Sequence, residues 1–152
     1  GPLLNPNAPF GLGLLACSAT KAAVAAPAAQ LYQGHTFKLA LELAQRLCQR
    51  IRILSGFHGV LRLDTTISPY ERPLTGLAKA ERLAWAARVA SSLAPWAHDS
   101  VLCLAPASYW HLLPDTASWV KPLMGLGLGA QKAALKAFLA DASTLVPSSG
   151  RR

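Results

Sequence analysis

Apolar and polar positions fall into two kinds of stretch along this chain. Short, mainly apolar runs occur at GLGLLACS (11–18), IRILS (51–55) and DSVLCLAP (99–106). Runs of that length suit strands buried on both faces better than helices, which need about ten residues or more. Between the first two runs a helical period appears. Phe37, Ala40, Leu41, Ala44, Leu47, Cys48 and Ile51 share one side, and Lys38, Glu42, Gln45, Arg46 and Gln49 the other. Thr36 stands where it can cap that helix. Leu77, Ala80, Leu83, Ala84, Ala87 and Leu93 predict a second amphipathic helix, closed before Pro95. A short helix is expected over Ser108–Leu113, and GLGLGAQKAALKAFLA (125–140) reads as a glycine-rich turn opening a last helix. The Ala-rich segment 19–35 reads as a loop with one helical turn. Residues 60–76, with Pro69, Pro73 and Gly76, are expected to be irregular.

Strands alternating with helices imply right-handed crossovers and a sheet covered on both faces. The expected fold class is therefore α/β, a three-layer α/β/α arrangement around a small, mainly parallel sheet. Residues 1–10, rich in proline and asparagine, read as an extended arm whose Gly1-Pro2 is a cloning scar. Residues 11–140 form a single domain, and 141–152 a flexible tail.

Composition narrows the class. Of 152 residues, 52% are hydrophobic and only 14% charged, so a folded core is expected rather than a disordered chain. No apolar run reaches the roughly 18 residues of a membrane span, and no basic segment leads into an apolar one, so a soluble, cytoplasmic protein is expected. Three cysteines (Cys17, Cys48, Cys103) have neither CxxC spacing nor an even count. Cys48 and Cys103 read as small buried hydrophobes, the first on a helix face and the second in a strand. The four histidines lack HxxxH or HxH spacing, so neither a metal nor another cofactor is expected. Fifteen Lys and Arg against seven Asp and Glu leave +8. Lys38, Arg46, Arg50, Arg52 and Arg62 against Glu42 concentrate part of that surplus in 35–62. Such a balance favours polyanions, and Arg46, Arg50, Arg52 and Arg62 are candidate phosphate contacts.

In an open α/β sheet, ligands settle beyond the carboxyl ends of strands. After the first strand come Cys17, Ser18 and, four residues past Cys17, Lys21, whose amine is a candidate nucleophile or phosphate partner. After the second come Ser55 and His58, the latter in a Gly-flanked turn and suited to general acid–base work. Asp64 is a candidate to orient it, although an Asp in such a loop also bonds its own backbone. Tyr70 offers a planar face for a base, as does Tyr32 in QLYQGHTF. Ser108 follows the third strand. The run Gly125–Gly129 is not GxGxxG and follows no clear strand, so a dinucleotide site is not expected there.

The stretch LSGFHGVLRLDTTISPY (54–70) resembles the LSG-aromatic-x-GVL…PY segment of the YaaA-like peroxide-stress proteins. With ACSATK, QLYQGHTFKLALELA and LAKAERLAWAARVA, it resembles a small phage and bacterial family labelled only as a domain of unknown function, over roughly residues 12–138. CSxxK is also similar to an element of archaeosine synthases, which act on a deazaguanine in transfer RNA. These resemblances imply a nucleic-acid or nucleobase setting, since YaaA-like proteins are linked to DNA binding and oxidative damage. This chain is much shorter than theirs and leaves little room for an added helix-hairpin-helix module. Cys17, Ser18, Lys21, Ser55, His58, Asp64 and Tyr70 carry over as pattern positions. Three functions follow as expectations. The first is an enzyme that excises or modifies a nucleobase, glycosylase- or lyase-like, acting on DNA, RNA or a nucleotide-like molecule. The others are a noncatalytic DNA- or RNA-binding module and a small-molecule hydrolase.

Overall fold

Strands form at all three apolar runs, and additional short ones complete the sheet. The computed structural model describes residues 5–18, 21–70, 76–111, 113 and 118–147. Gly1-Pro2, Pro73 and residues 148–152 of the expected tail lie outside these. In chain order the elements are β1 (Phe10–Ala16), β2 (Ala26–Pro27), α1 (Ala28–Leu31), α2 (His35–Leu47), β3 (Cys48–Ser55), β4 (Gly59–Arg62), β5 (Thr66–Ile67) and α3 (Lys79–Leu93). A 3-10 turn (Ala94–Trp96), β6 (Val101–Cys103), α4 (Ala107–Trp110), β7 (Trp119–Val120) and α5 (Leu128–Ala140) follow.

The main sheet has the order β4-β3-β1-β6-β7. β3, β1, β6 and β7 run parallel, and β4 returns antiparallel to β3. β2 and β5 pair separately as a small antiparallel ribbon. One face carries α2 and α5 over Phe10, Leu15, Leu43, Ala44, Ile51, Ile53 and Leu135. The other carries α3 over Leu12, Leu14, Leu54, Trp85, Val89 and Val101. The fold is thus the expected α/β class. Topology also sets the place of a site. From β1 the chain moves to β3 on one side, and from β6 it moves to β7 on the other, so the loops leaving β1 and β6 diverge and open a crevice at their carboxyl ends.

Several local expectations are corrected. The helical period continues past Leu47, but Cys48 is already extended (φ −122°, ψ 141°) and pairs with Phe10. A ladder with β1 gives the backbone of 48–55 partners that a longer helix would forgo. Cys48 and Ile51 are therefore strand residues, although Cys48 is buried as expected. Thr36 does not cap α2. Gly34 stands at the cap, its N–H donating to Ser18 Oγ at 2.9 Å, and the helix starts two residues earlier than a Thr36 cap implies. On α3 the buried stripe is Trp85, Ala86, Val89 and Leu93, and Leu83 is 49% exposed. An Ala-rich helix offers two overlapping stripes. The one with the bulky indole wins, because Trp85 also places its N–H on the Ser55 carbonyl at 2.7 Å.

Residues 60–76 are not irregular at their start. Ser55 faces Gly59 across a three-residue turn, and β4 adds an edge strand that pairs Arg52 with Arg62. Gly59 takes φ +79°, the left-handed conformation such a hairpin needs after its turn. β7 (Trp119–Val120) lies between the expected short helix and the last helix, where no strand is expected. The arm and tail boundaries also move, since Ala8 and Phe10 are buried with Phe10 opening β1, and Leu145 packs into the α2 face. No described helix is long and apolar enough to cross a membrane.

Candidate functional site

The hairpin turn between β3 and β4 is organised by one buried hydroxyl. Ser55 is fully buried, and its Oγ accepts the N–H groups of Phe57 (3.2 Å) and His58 (3.1 Å). Both lone pairs are then engaged, so its own proton goes to Tyr70 Oη at 2.7 Å. Tyr70 in turn bonds Tyr32. That mutual bond uses one of the two phenolic protons. Burial, above all, raises the pKa of both phenols, with Cys17 close enough to add to the effect, so they stay protonated donors.

Lys21 enters this cluster through a β-bridge to Tyr32, and Ala22 N–H donates to the Leu31 carbonyl beside it. The Lys21 ammonium sits 4.5 Å from the Tyr70 ring centroid, a cation–π contact. The His58 ring lies edge-on to the same Tyr70 ring at 5.0 Å, with Phe57 at 5.2 Å. The amine at 21 and the imidazole at 58 therefore meet on one aromatic ring. Partial burial lowers the His58 pKa, favouring the neutral imidazole that a general base requires.

Cys17 follows β1 directly and lies at the divergence of the β1 and β6 loops. Its Sγ is 3.2 Å from Tyr109 Oη on α4. Burial, with Cys17 beside it, holds the Tyr109 phenol well above its ordinary pKa, so Tyr109 is a proton donor at the thiol. A crevice of about 340 Å³ opens here, bounded by Cys17, Ser18, His35, Tyr109, Gln131 and Lys132 among others. Cys17 is thus electrostatically coupled to all three phenols, Tyr32, Tyr70 and Tyr109, which come from three separate segments.

The expected site residues separate into groups. Cys17, Lys21, Tyr32, Ser55, His58 and Tyr70 come together. Ser18 lines the crevice, but its Oγ accepts the Gly34 N–H, and a Cβ at position 34 would collide with it, so glycine there lets the two loops close. Asp64 is not placed to orient His58. It follows β4, whose far end leads away from the turn, and both its oxygens take Arg62 (3.2 Å each). That hydrogen bond, first, lowers the Asp64 pKa. Ser108 lies beside Tyr109 on α4, and the contact to Cys17 is made by Tyr109. Arg46 bonds Glu42 (2.7 Å) and the Leu139 carbonyl (2.8 Å), tying α2 to the end of α5.

Two residues are not among the expected site residues, although the stretch Pro106–Tyr109 is a candidate strand end. Tyr109 sits in the strand-end stretch PASYW, where its phenol was the stronger candidate than the neighbouring hydroxyl. Arg82 lies one turn before Trp85 on the buried stripe of α3, and its Nε is buried with no hydrogen-bond partner. Trp85 reaches the carboxyl end of β3, and helix side chains lean toward the helix N-terminus. Arg82 therefore extends beyond that edge. No pattern in a sequence reports an unsatisfied nitrogen. Among the described residues no group of three or more His, Cys, Asp or Glu is arranged to hold a metal.

A family model described as a family of unknown function (DUF6884) matches residues 12–137. No curated protein and no solved structure matches the chain. The matched span runs from β1 into α5 and includes every crevice residue named above; the chain belongs to that family.

Proposed function

We propose that this member of the family is an enzyme acting on a nucleobase or its sugar linkage, with the crevice beyond β1, β3 and β6 as its active site. The observation that carries this is an amine, an imidazole and two protonated phenols gathered at the Tyr70 ring, with the thiol of Cys17 and the phenol of Tyr109 paired in the crevice where two strand-end loops diverge. Such a set holds nucleophile, base and acid together, where a purely structural cluster needs none of them. Tyr70 and Phe57 offer ring faces to a base, Lys21 and Cys17 are the nucleophiles, and His58 and Tyr109 exchange protons. Arg82, with a buried donor unmet, takes an anionic oxygen of the substrate.

The likeness to YaaA-like proteins and to the CSxxK element supports a base- or DNA-damage-related substrate. The test uses an oligonucleotide carrying an abasic site, incubated with the protein and borohydride. Lys21 Nζ condenses with the sugar C1′ aldehyde, losing water, and hydride reduces the imine to a stable amine. A covalent adduct seen with the native chain and absent for Lys21→Ala supports the lyase-type activity. Neither adduct nor base release from oligonucleotides or nucleotides would sink the proposal.

A further inference from the structure

The three remaining arginines of the β3–β4 hairpin do not point at the crevice. Arg52 and Arg62 are register partners across the antiparallel pair, so their side chains share one face of the sheet. Arg50 lies two residues from Arg52 on the same strand and so shares that face too. Leu54, also in step with Arg52, packs into the α3 side, which identifies the face. Like charges set directly opposite one another destabilise a sheet. Arg62 and Arg50 both act electrostatically on Arg52, and the acid facing them among the described residues is the exposed Asp64.

The Arg52 guanidinium stacks 5.0 Å over the Trp96 ring. Trp96 has a second role, as one wall of an apolar cavity of about 210 Å³ completed by Leu93, Ala97, Val101, Leu113 and Trp119. A row of cations therefore runs directly into an aromatic-walled hollow. Cations that track a phosphate backbone, next to an aromatic surface for an unstacked base, are the two parts of a single-strand nucleic-acid site.

We propose that Arg50, Arg52 and Arg62 hold phosphates of a single-stranded nucleic acid, while Trp96 and its cavity seat one of that strand's bases. This deepens the function proposed above, since it makes the substrate a polymer rather than a free nucleotide. The Arg52–Arg62 pair lies three residues along the hairpin from Ser55–Gly59, roughly 10 Å at strand rise. A strand crossing the hairpin edge can thus present one nucleotide to the turn that carries His58 and neighbouring ones to the arginines.

The experiment is fluorescence anisotropy with a labelled single-stranded oligonucleotide across a salt series. Arg62→Thr, at an exposed edge position, and Arg52→Gln in the same chain should weaken binding about tenfold or more. They should also flatten the slope of log affinity against log salt by about 1.4, the contribution of two phosphate contacts to a single strand. Ala97→Leu, which fills the cavity without touching a charge, should weaken oligonucleotide binding several-fold and leave inorganic polyphosphate binding unchanged. Lys21→Ala and Cys17→Ala should keep the arginine-dependent part of the salt slope. If the arginine variants bind with native affinity and slope, and instead only self-associate, the charges guard a sheet edge and the site is refuted. That result would leave an enzyme acting on free nucleotides standing, whereas absence of both the borohydride adduct and base release, with intact strand binding, would remove the enzyme alone. Native affinity in Ala97→Leu would refute the seated base.

Discussion

Replacing Ser55 by alanine removes one hydroxyl and disturbs three other groups. Its oxygen accepts two backbone N–H groups and its proton serves Tyr70, all at a site with no exposure to water. Tyr70 keeps its bond to Tyr32, and the Phe57 and His58 N–H groups lie in an exposed turn that water partly reaches. Taking about 1 kcal/mol for each lost bond, with part recovered by hydration, Ser55→Ala should destabilise the protein by about 2–3 kcal/mol. For a chain of this size that lowers Tm by about 4–10 °C. Thermal unfolding followed by far-UV circular dichroism measures it, and amide exchange at Phe57 and His58 should accelerate together. Because that turn carries His58 to the Tyr70 ring, activity should fall further than stability alone accounts for. A Tm shift under about 1 °C with unchanged exchange at both amides would show that the hydroxyl does not organise the turn.

Arg82→Met replaces a buried, unpartnered nitrogen by an apolar group of similar reach, and should raise stability by about 1 kcal/mol while weakening a phosphate-bearing ligand. Thermal melts and ligand titration check both signs, and a clear loss of stability would mean that Arg82 holds the fold together. Thiol titration of the native chain should find Cys17 alone reactive. Cys48 and Cys103 are buried, and burial pushes the Cys48 thiol up to about 12, so two or three fast thiols would contradict the packing. For pH, His58 is the group to follow. Its folded pKa lies below the ordinary value, so the unfolded chain takes up a proton first as pH falls. Its contribution is whole above about pH 6.5 and declines as pH drops through the window down to the folded pKa. Tm against pH should therefore slope less there in His58→Gln, and an identical slope would contradict the burial of the ring.

Much of the fold could be read without coordinates. Apolar runs near 11–18, 51–55 and 99–106 are short because a strand crosses a sheet in few residues, and they are mostly apolar, with Arg52 the interruption, because helices cover both faces. That local signal determined the class, the central strands and the segments leaving their carboxyl ends, hence Cys17, Lys21, His58 and Tyr70 as candidates. Tertiary structure decided what local periodicity cannot carry. Whether residues 48–51 continue a helix depended on β1 lying alongside to pair with them. The buried stripe of α3 depended on a carbonyl at Ser55 waiting for an indole N–H. Tyr109 meeting Cys17, Arg62 facing Arg52 and Arg82 left without a partner each join positions distant in the chain or facing across strands. Their energies arise from burial and pairing that exist only once the sheet has formed.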